Sequence, residues 1–393
     1  MSSSLAPLDL LAQLVAIPSH VSQPAGIEAV AGTVGGLLAE AGFEPVPAGS
    51  APPRRAPEWA ERVLCPEVDF DDLLDPFVWR RAGDAAGELL ILADLDAALA
   101  LDAVECRLSV RGGRAIGPAV ADMKGGLVVL VEAMRLVAER RGPSPSITVV
   151  LSADEQAGSL RSAATIERLA AGASWCVCLE CGRDGGRLMR SRGHIGVGLL
   201  TATGVEAHAG SARASGVNAV TALSRGVAAI DGDGISGRHA TVTPTILSGG
   251  RRRSVVPGHA SAVLDLRARD PRAWEALESR VRAALAAADP GERLRLEVFV
   301  HRPGLAATDL TAWFLAMVHD IGSRLGIEVD AVDSLAAGSS AFVDSSRIPV
   351  LDGLGPSGGA LMTPEEYIEV ESLESRALLL AALVAELGTR AAG

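Results

Sequence analysis

The sequence lacks a basic excess, a long apolar run and an even number of cysteines. Its net charge of −12 gives no basic footprint, which argues against nucleic acid as a partner. No apolar run approaches the ~18–20 residues that cross a bilayer, so we expect no membrane association. The N-terminus has no basic region followed by an apolar stretch, so no secretory signal is predicted. Five cysteines fit a reducing cytoplasm better than a disulfide framework.

The first and last parts of the chain have the pattern of an α/β domain. Short apolar runs at 88–93, 146–151 and 175–179 predict strands that are buried on both faces. Helical patterns lie before, between and after them, at 8–16, 26–41, 122–141, 159–171, 310–325 and 372–387. This alternation predicts a mainly parallel sheet with helices on both faces.

The middle of the chain has a different pattern. Alternating strands are predicted at 196–203, 240–247, 260–267 and 294–300, with helices at 218–230 and 274–287. The order strand–helix–strand–strand–helix–strand predicts a ferredoxin-like α+β unit inserted into the larger domain. We therefore expect a catalytic domain made of residues 1–192 and 305–393, and a lid or dimerisation domain at 193–304.

Acidic residues follow the buried strands. Asp94 and Asp96 follow the first, Glu155 the second and Glu180 the third, while Asp122 opens the helix predicted at 122–141. Ligands of open α/β sheets bind outside the carboxyl ends of the strands. A single Asp before a helix is usually an N-cap, but several carboxylates meeting in one cleft favour a cation or proton transfer.

Four segments together resemble one enzyme family. Residues 117–126 (GPAVADMKGG), 152–159 (SADEQAGS), 204–219 (GVEAHAG, then GVNA) and 351–367 (LDGLGP, then EY) occur in the order and spacing of its motifs. The sequence resembles the two-zinc aminoacylase/carboxypeptidase family, which includes glutamate carboxypeptidase, acetylornithine deacetylase and succinyl-diaminopimelate desuccinylase. The resemblance extends from about residue 8 to residue 388, and implies a catalytic α/β domain with a lid that often forms a dimer.

The resemblance assigns metal-ligand positions, and three of the five carry other residues. Asp122 matches the Asp that bridges the two zinc ions, and Glu180 matches the acid of the first metal. Asp94 replaces one histidine ligand, Gln156 replaces a glutamate ligand, and Met362 best matches the position of the C-terminal histidine. Histidine is absent between residues 20 and 194 and after residue 319, so none replaces them.

These replacements predict an altered metal site. Amide and thioether groups are poor zinc ligands, so we expect the two-zinc centre to be lost. Asp94, Asp122 and Glu180 could hold one weakly bound divalent cation (Mg²⁺, Mn²⁺ or Zn²⁺), or the site holds no cofactor. Without a cation, the clustered carboxylates would have raised pKa values.

The positions for proton transfer and substrate binding are retained. By resemblance, Glu155 matches the general base and His208 the lid histidine that polarises the scissile carbonyl, often from the partner subunit. Arg267 matches the arginine that binds a substrate carboxylate, a task suited to a guanidinium. Asp96 matches a retained acid of the active site, and Asn218 and Ser254 lie in motifs of the substrate side, although Ser254 replaces an asparagine.

Three functional hypotheses follow. The first is an enzyme that acts on a small amino-acid-derived amide or carboxylate without the two-zinc centre, by cyclisation, elimination or acyl rearrangement. The second is an amide hydrolase, a peptidase or deacylase, with one weakly bound divalent cation. The third is an inactive binding subunit, which the retained Glu155, His208 and Arg267 disfavour. In each case we predict a homodimer formed through the lid.

Two further features are left open. Residues 59–79 contain four of the chain's twelve aromatic residues, beside Asp69, Asp71 and Asp72. They form either a surface segment with its own small cluster, which we favour, or a rim of the substrate site or an oligomer contact. Cys176, Cys178 and Cys181 surround Glu180, but no fourth ligand is evident, and buried cysteine packs as a small apolar residue.

Overall fold

The computed structural model describes residues 5–49, 52–102, 104–183, 185–232 and 234–392. Its main sheet is mixed, with four parallel strands followed by two antiparallel strands at one edge. In spatial order the strands are Glu44–Val46, Phe77–Arg81, Ser146–Ser152, Glu88–Asp94, Trp175–Cys178 and Val350–Leu351. The mainly parallel sheet predicted from the sequence is confirmed.

Both faces of this sheet are buried. In the strand Glu88–Asp94, Leu89, Ile91 and Ala93 belong to one hydrophobic cluster and Leu90 and Leu92 to another. The first cluster includes residues of five helices, Pro7–Val15, Pro24–Glu40, Gly125–Glu139, Asp309–Leu325 and Glu371–Ala392. The second lies under the helix Ser162–Ala170 and the 3₁₀ turn Ser339–Phe342. Burial on two faces explains why this strand reads as a continuous apolar run.

The inserted unit is a four-stranded antiparallel sheet with its own core. In spatial order its strands are Ala240–Gly249, His259–Ala268, His194–Thr203 and Leu294–Arg302. The helices Ala219–Ile230 and Pro271–Ala288 pack against the sheet and against each other. The chain order is strand–helix–strand–strand–helix–strand, as the sequence pattern predicts.

Several smaller elements belong to neither of these two sheets. A second four-stranded sheet consists of Gly358–Gly359, Tyr367–Glu369, Arg114–Ile116 and Ser109–Arg111. Two-stranded pairs join Ala207–His208 to Val255–Val256 and Leu188–Ser191 to Ala331–Asp333. The short helix Glu58–Leu64 and 3₁₀ turns at Phe70–Asp72 and Arg213–Ser215 complete the secondary structure of the described residues, besides the turn at Val120–Lys124 discussed below. Within the described residues no helix is long and apolar enough to cross a membrane.

Candidate active site

Five acidic side chains lie buried at the carboxyl ends of the parallel strands or in the adjoining turns. We call them the carboxylate cluster; each is at most 6% exposed, and its members are Asp94, Asp96, Asp122, Glu155 and Glu180. Besides burial, the neighbouring Glu155 raises the pKa values of the other four, Asp94, Asp96, Asp122 and Glu180. The structure therefore brings together the acids that the sequence places after separate strands.

Asp94 and Asp96 hold the turns around them. Ser339 Oγ donates a hydrogen bond to Asp94 Oδ1 at 2.8 Å, whereas Asp94 Oδ2 is buried and has no hydrogen-bond partner among the described residues. Asp96 accepts the backbone N–H groups of Glu155 at 3.0 Å and Gln156 at 2.8 Å. Asp96 thus fixes the backbone that carries Glu155.

The prediction that Asp122 opens a helix is wrong. The helix begins at Gly125, and Asp122 lies in the irregular turn Val120–Lys124 with φ −121° and ψ 84°, before a cis peptide bond to Met123. The carboxylate of Glu366 accepts the N–H groups of Ala121 at 2.8 Å and Asp122 at 3.0 Å. These hydrogen bonds fix the backbone of the turn. Asp122 lies in this turn, before the helix begins at Gly125, and is not its N-cap. Gln156 Nε2 donates to Asp122 Oδ1 at 3.3 Å.

A buried arginine lies beside Glu180. Arg192 is 0% exposed, and its Nε donates to Asp352 Oδ2 at 2.8 Å. Its Nη2 lies 3.7 Å from Glu180 Oε2. Ser340 Oγ also donates to Asp352. Although burial lowers the pKa of Arg192, Asp352 and Glu180 raise it overall, so the guanidinium is charged.

A second buried arginine contacts Glu155. Arg302 is 2% exposed, and its Nη2 lies 2.8 Å from Glu155 Oε1 and donates to the Glu155 backbone carbonyl at 2.5 Å. Its Nη1 donates to Ser159 Oγ at 3.0 Å. Glu155 Oε2 has no hydrogen bond to any described residue. Arg302 therefore fixes one of the two carboxylate oxygens of Glu155.

Burial dominates the acidity of the rest of the cluster. It raises the pKa of Asp96 to about 8, with a further contribution from the neighbouring Glu155. Burial also raises the pKa of Glu180 to about 7, against the opposing effect of Arg192. The pKa values of Asp94 and Asp122 are raised well above their usual range by burial and by nearby carboxylates. Burial and neighbouring carboxylates thus both raise the pKa values of these four acids.

The donor set does not fit the zinc pair of the resembling family. Among the described residues, no group of three or more His, Cys, Asp or Glu side chains is arranged to hold a metal ion. Gln156 donates its amide to Asp122, and Met362 is 53% exposed, with its backbone N–H bound to Glu366. Arg192 adds a positive charge beside Glu180. Amide, thioether and guanidinium groups do not substitute for imidazole and carboxylate ligands.

The predicted lid residues lie outside this cluster. His208 is exposed, and its Nδ1 accepts the N–H groups of Gly210 and Ser211, both at 3.1 Å. Ser254 is exposed, and Asn218 Oδ1 accepts the N–H of Thr221 as the N-cap of the helix Ala219–Ile230. No hydrogen bond or ion pair among the described residues joins His208, Ser254 or Asn218 to the carboxylate cluster. The structure gathers the acids but not these three residues.

Arg267 is half-buried and paired within its own strand. Its Nε and Nη2 donate to the carboxylate of Asp265 at 2.7 and 3.1 Å, and its Nη1 donates to the Leu335 carbonyl at 3.5 Å. It also lowers the pKa of His301, together with Arg302, although burial has the larger effect. Arg267 therefore lies near the arginine that contacts Glu155, and a substrate carboxylate would compete with Asp265 for it.

The segment 59–79 packs directly behind the carboxylate cluster. Cys65, Phe70 and Leu73 form a hydrophobic cluster with Ala157 and Leu160, which follow Glu155 and Gln156 in the chain. Its last residues enter the main sheet as the strand Phe77–Arg81. The segment does not form a cluster of its own: Phe70 shares this one with the turn after Glu155, whereas Phe77 and Trp79 pack against the main core.

The five cysteines are free and buried. Cys176 and Cys178 are 0% exposed within the main sheet, and burial raises the pKa of the Cys178 thiol. A buried thiol in an apolar setting is unreactive, so these residues pack as small apolar side chains.

The sequence interpretation missed Arg192 and Arg302. Both lie where the chain passes between the catalytic and inserted units, close to the boundaries predicted after residues 192 and 304. The signal in the sequence was that Arg302 follows the apolar strand residues 298–300 with only His301 between them. A hydrophobicity pattern does not reveal that such a charge is buried, because most arginines at strand ends are exposed.

Comparisons with known proteins agree with this architecture. Residues 190–293 match the family model described as the peptidase dimerisation domain of M20 peptidases. The chain is 26% identical to carboxypeptidase G2 of Pseudomonas sp. (strain RS-16) over 325 residues, which cover 80% of this chain and 77% of that protein.

Solved structures share the fold over the whole chain. A tripeptidase of Staphylococcus aureus matches with a TM-score of 0.76 and 16% identity, covering 98% of both chains. The YxeP protein of Bacillus subtilis, described as a dinuclear metal binding peptidase of the M20 family, matches with a TM-score of 0.67 and 16% identity, also covering 98% of both chains. Together the comparisons confirm the resemblance to the aminoacylase/carboxypeptidase family and the predicted fold class. The scaffold is that of an amidohydrolase/carboxypeptidase-like enzyme.

Proposed function

We propose that this protein is an enzyme that acts on a small amino-acid-derived amide or carboxylate without a two-zinc centre, with Glu155 as its general acid/base. The reaction is non-hydrolytic: a cyclisation, an elimination or an acyl rearrangement. The observation that carries this proposal is the buried contact between Glu155 and Arg302, in a cluster whose metal-ligand positions hold Asp94, Gln156 and Met362.

Glu155 has the geometry for proton transfer. Arg302 binds Oε1 and the backbone carbonyl, and Asp96 accepts the Glu155 N–H, so one side-chain oxygen and the backbone of Glu155 are both held. Oε2 remains for the substrate proton. A positioned carboxylate in a water-poor site is a typical acid or base for proton abstraction next to a carbonyl.

Residues of the lid would bind the substrate. The guanidinium of Arg267 suits a substrate carboxylate, and His208 suits the carbonyl oxygen. Asn218 and Ser254 would border the same space. Because His208 is exposed in one chain, it would act after lid movement or from a partner chain.

The experiment is an activity screen with N-acylamino acids, dipeptides and related carboxylates, with and without a chelator. We expect chelator-resistant turnover that Glu155→Gln lowers by about 10²–10⁴-fold. Glu275→Gln is the matched control, because Glu275 lies on the exposed face of a lid helix and its side chain makes no hydrogen bond or ion pair with a described residue. Equal activity of wild type and Glu155→Gln would refute the proposed role.

The same screen separates the other two hypotheses. Activity that is lost with a chelator and restored by Mn²⁺, Mg²⁺ or Zn²⁺ would favour an amide hydrolase with one weakly bound cation. Substrate binding without turnover, unaffected by Glu155→Gln, would favour an inactive binding subunit.

We also propose a cytoplasmic homodimer. The lid strand Ala240–Gly249 lies at a sheet edge and exposes Ile246 and Leu247 at 58% and 55%. An open strand edge with apolar side chains is a typical pairing surface. Five free cysteines support a reducing compartment. Sedimentation of the wild type against Ile246→Lys tests the dimer, and an unchanged mass would refute this surface.

A further inference from the structure

The carboxylate cluster carries more acids than its own contacts neutralise. Its five members are joined by Asp352 and Glu366, which are buried at 0% and 3% exposure. Glu366 accepts the backbone N–H of Asp122 at 3.0 Å, and Asp352 shares Arg192 with Glu180. Carboxylates packed this closely need protons or cations to remain in a folded interior.

Arg192 supplies one such cation beside Glu180. It contacts Asp352 and lies 3.7 Å from Glu180, and the backbone of Gly338 packs against its guanidinium. A Cβ at Gly338 would lie 3.0 Å from Arg192 Cζ. The loop is thus shaped around the charged group, and the next two residues donate hydrogen bonds to Asp94 and Asp352.

Arg302 supplies the second cation, beside Glu155. Its Nη2 contacts both the carboxylate and the carbonyl of Glu155, and its Nη1 is fixed by Ser159. The two arginines contact different acids, Glu180 and Asp352 in one case and Glu155 in the other. They therefore distribute two fixed positive charges over the cluster.

We propose that Arg192 and Arg302 are internal cations that provide the positive charge of the site and exclude divalent metal ions from it. This inference rests on the metal-free centre of the proposed function. A fixed guanidinium occupies space beside the carboxylates and repels a second cation. Unlike a bound ion, it cannot leave on chelation. Both arginines are positioning residues, since they act on the acids and not on the substrate.

The test is the gain of metal binding when the internal charge is removed. Mn²⁺ binding is measured by calorimetry on the full chain, and metal content by elemental analysis of the purified protein. We expect no tight Mn²⁺ binding by the wild type, and an affinity at least about 10-fold higher in Arg192→Gln/Arg302→Gln. Arg192→Lys keeps the charge and should keep the wild-type affinity. Arg225→Gln, on the exposed face of a lid helix, is the surface control.

Removing a single buried charge can prevent folding, so a second variant is needed. Arg192→Gln/Asp352→Asn removes both members of the closer ion pair, so that Glu180 alone loses a positive neighbour. It should fold and should also bind Mn²⁺ more tightly than the wild type. Unchanged Mn²⁺ affinity in this variant would overturn the inference.

The outcomes distinguish this inference from the proposed function. Two tightly bound zinc ions per wild-type chain would overturn both. A metal-free wild type whose arginine variants gain no affinity would overturn only the internal cations. Chelator-resistant turnover that depends on Glu155 would then still support the proposed function.

Discussion

The carboxylate cluster and the lid residues are assembled to different degrees. Members of the cluster are buried, and Asp94, Asp96 and Glu155 are each held by residues distant in the chain. By contrast, the hydrogen bonds of the His208 ring within the described residues go to its own turn, Asn218 caps its own helix, and the Arg267 guanidinium is paired with Asp265. This difference separates the residues proposed for proton transfer from those proposed for substrate binding. In the proposed function, the residues for proton transfer are held in place where the catalytic unit meets Arg302 of the inserted unit, whereas those for substrate binding would need a partner chain or a movement of the lid.

The largest expected effect comes from removing the contact between Arg302 and Glu155. Arg302→Met leaves Glu155 as an unpaired buried charge, so we expect a loss of about 3–5 kcal/mol in the free energy of unfolding. Chemical denaturation measures it. Arg282→Met removes an exposed pair with Glu278 and should cost at most about 1 kcal/mol. Equal losses for the two variants would contradict the role of the buried pair.

The next prediction tests whether the substrate side is completed by a partner. His208→Ala should lower kcat/KM by about 10²-fold, with little change in Tm because the side chain is exposed. Mixed dimers of His208→Ala and Glu155→Gln should recover part of the activity if His208 acts in the partner's site. Without recovery, His208 would act within its own chain or not at all.

A third prediction concerns His301, which lies between the two sides. Burial, with Arg302 and Arg267, lowers its pKa from 6.5 to about 3. The unfolded chain takes up this proton below pH 6.5 and the folded chain does not, so stability falls as the pH falls. The slope is about 1.4 kcal/mol per pH unit between these values.

The variant His301→Gln should flatten this slope, whereas the exposed His319→Gln should retain it. Urea unfolding at pH 4, 5 and 6 provides the measurement. Asp96 has the opposite effect on the pH dependence of stability. Its pKa is raised to about 8, so its contribution to stability is lost as the pH rises toward 8. A slope that is unchanged in His301→Gln would contradict the low pKa.

The smallest expected effect concerns Asn218. Its side chain accepts the Thr221 N–H at 3.1 Å, so Asn218→Ala should cost about 1 kcal/mol of stability. If capping is its only task, KM should not change. A raised KM with unchanged stability would assign Asn218 to the substrate side instead.

The sequence predicted most of the fold because its strands obey simple periodicities. The strand predicted at 88–93 is observed as Glu88–Asp94, and the helix predicted at 310–325 as Asp309–Leu325. Burial on both faces makes such strands continuous in hydrophobicity, and an apolar stripe every three to four residues identifies the helices. The lid follows the same rules with alternating strands.

The site was predicted only in part. Asp94, Asp96, Glu155 and Glu180 do lie together, because the ends of parallel strands meet at one edge of the sheet. The conformation around Asp122 could not be predicted, since it depends on Glu366, about 240 residues away in the chain. Arg192 and Arg302 were missed for a related reason. Their burial depends on tertiary neighbours, and local hydrophobicity carries no information about it.

The adjacent serines Ser339 and Ser340 have a consequence for the order of folding. They donate to Asp94 and Asp352, at the ends of strands that lie on either side of Trp175–Cys178. During synthesis, Asp94 is made about 245 residues before its hydrogen-bond donor. The N-terminal half of the sheet therefore emerges with an unsatisfied acid at its edge, and the C-terminal segment completes the site last.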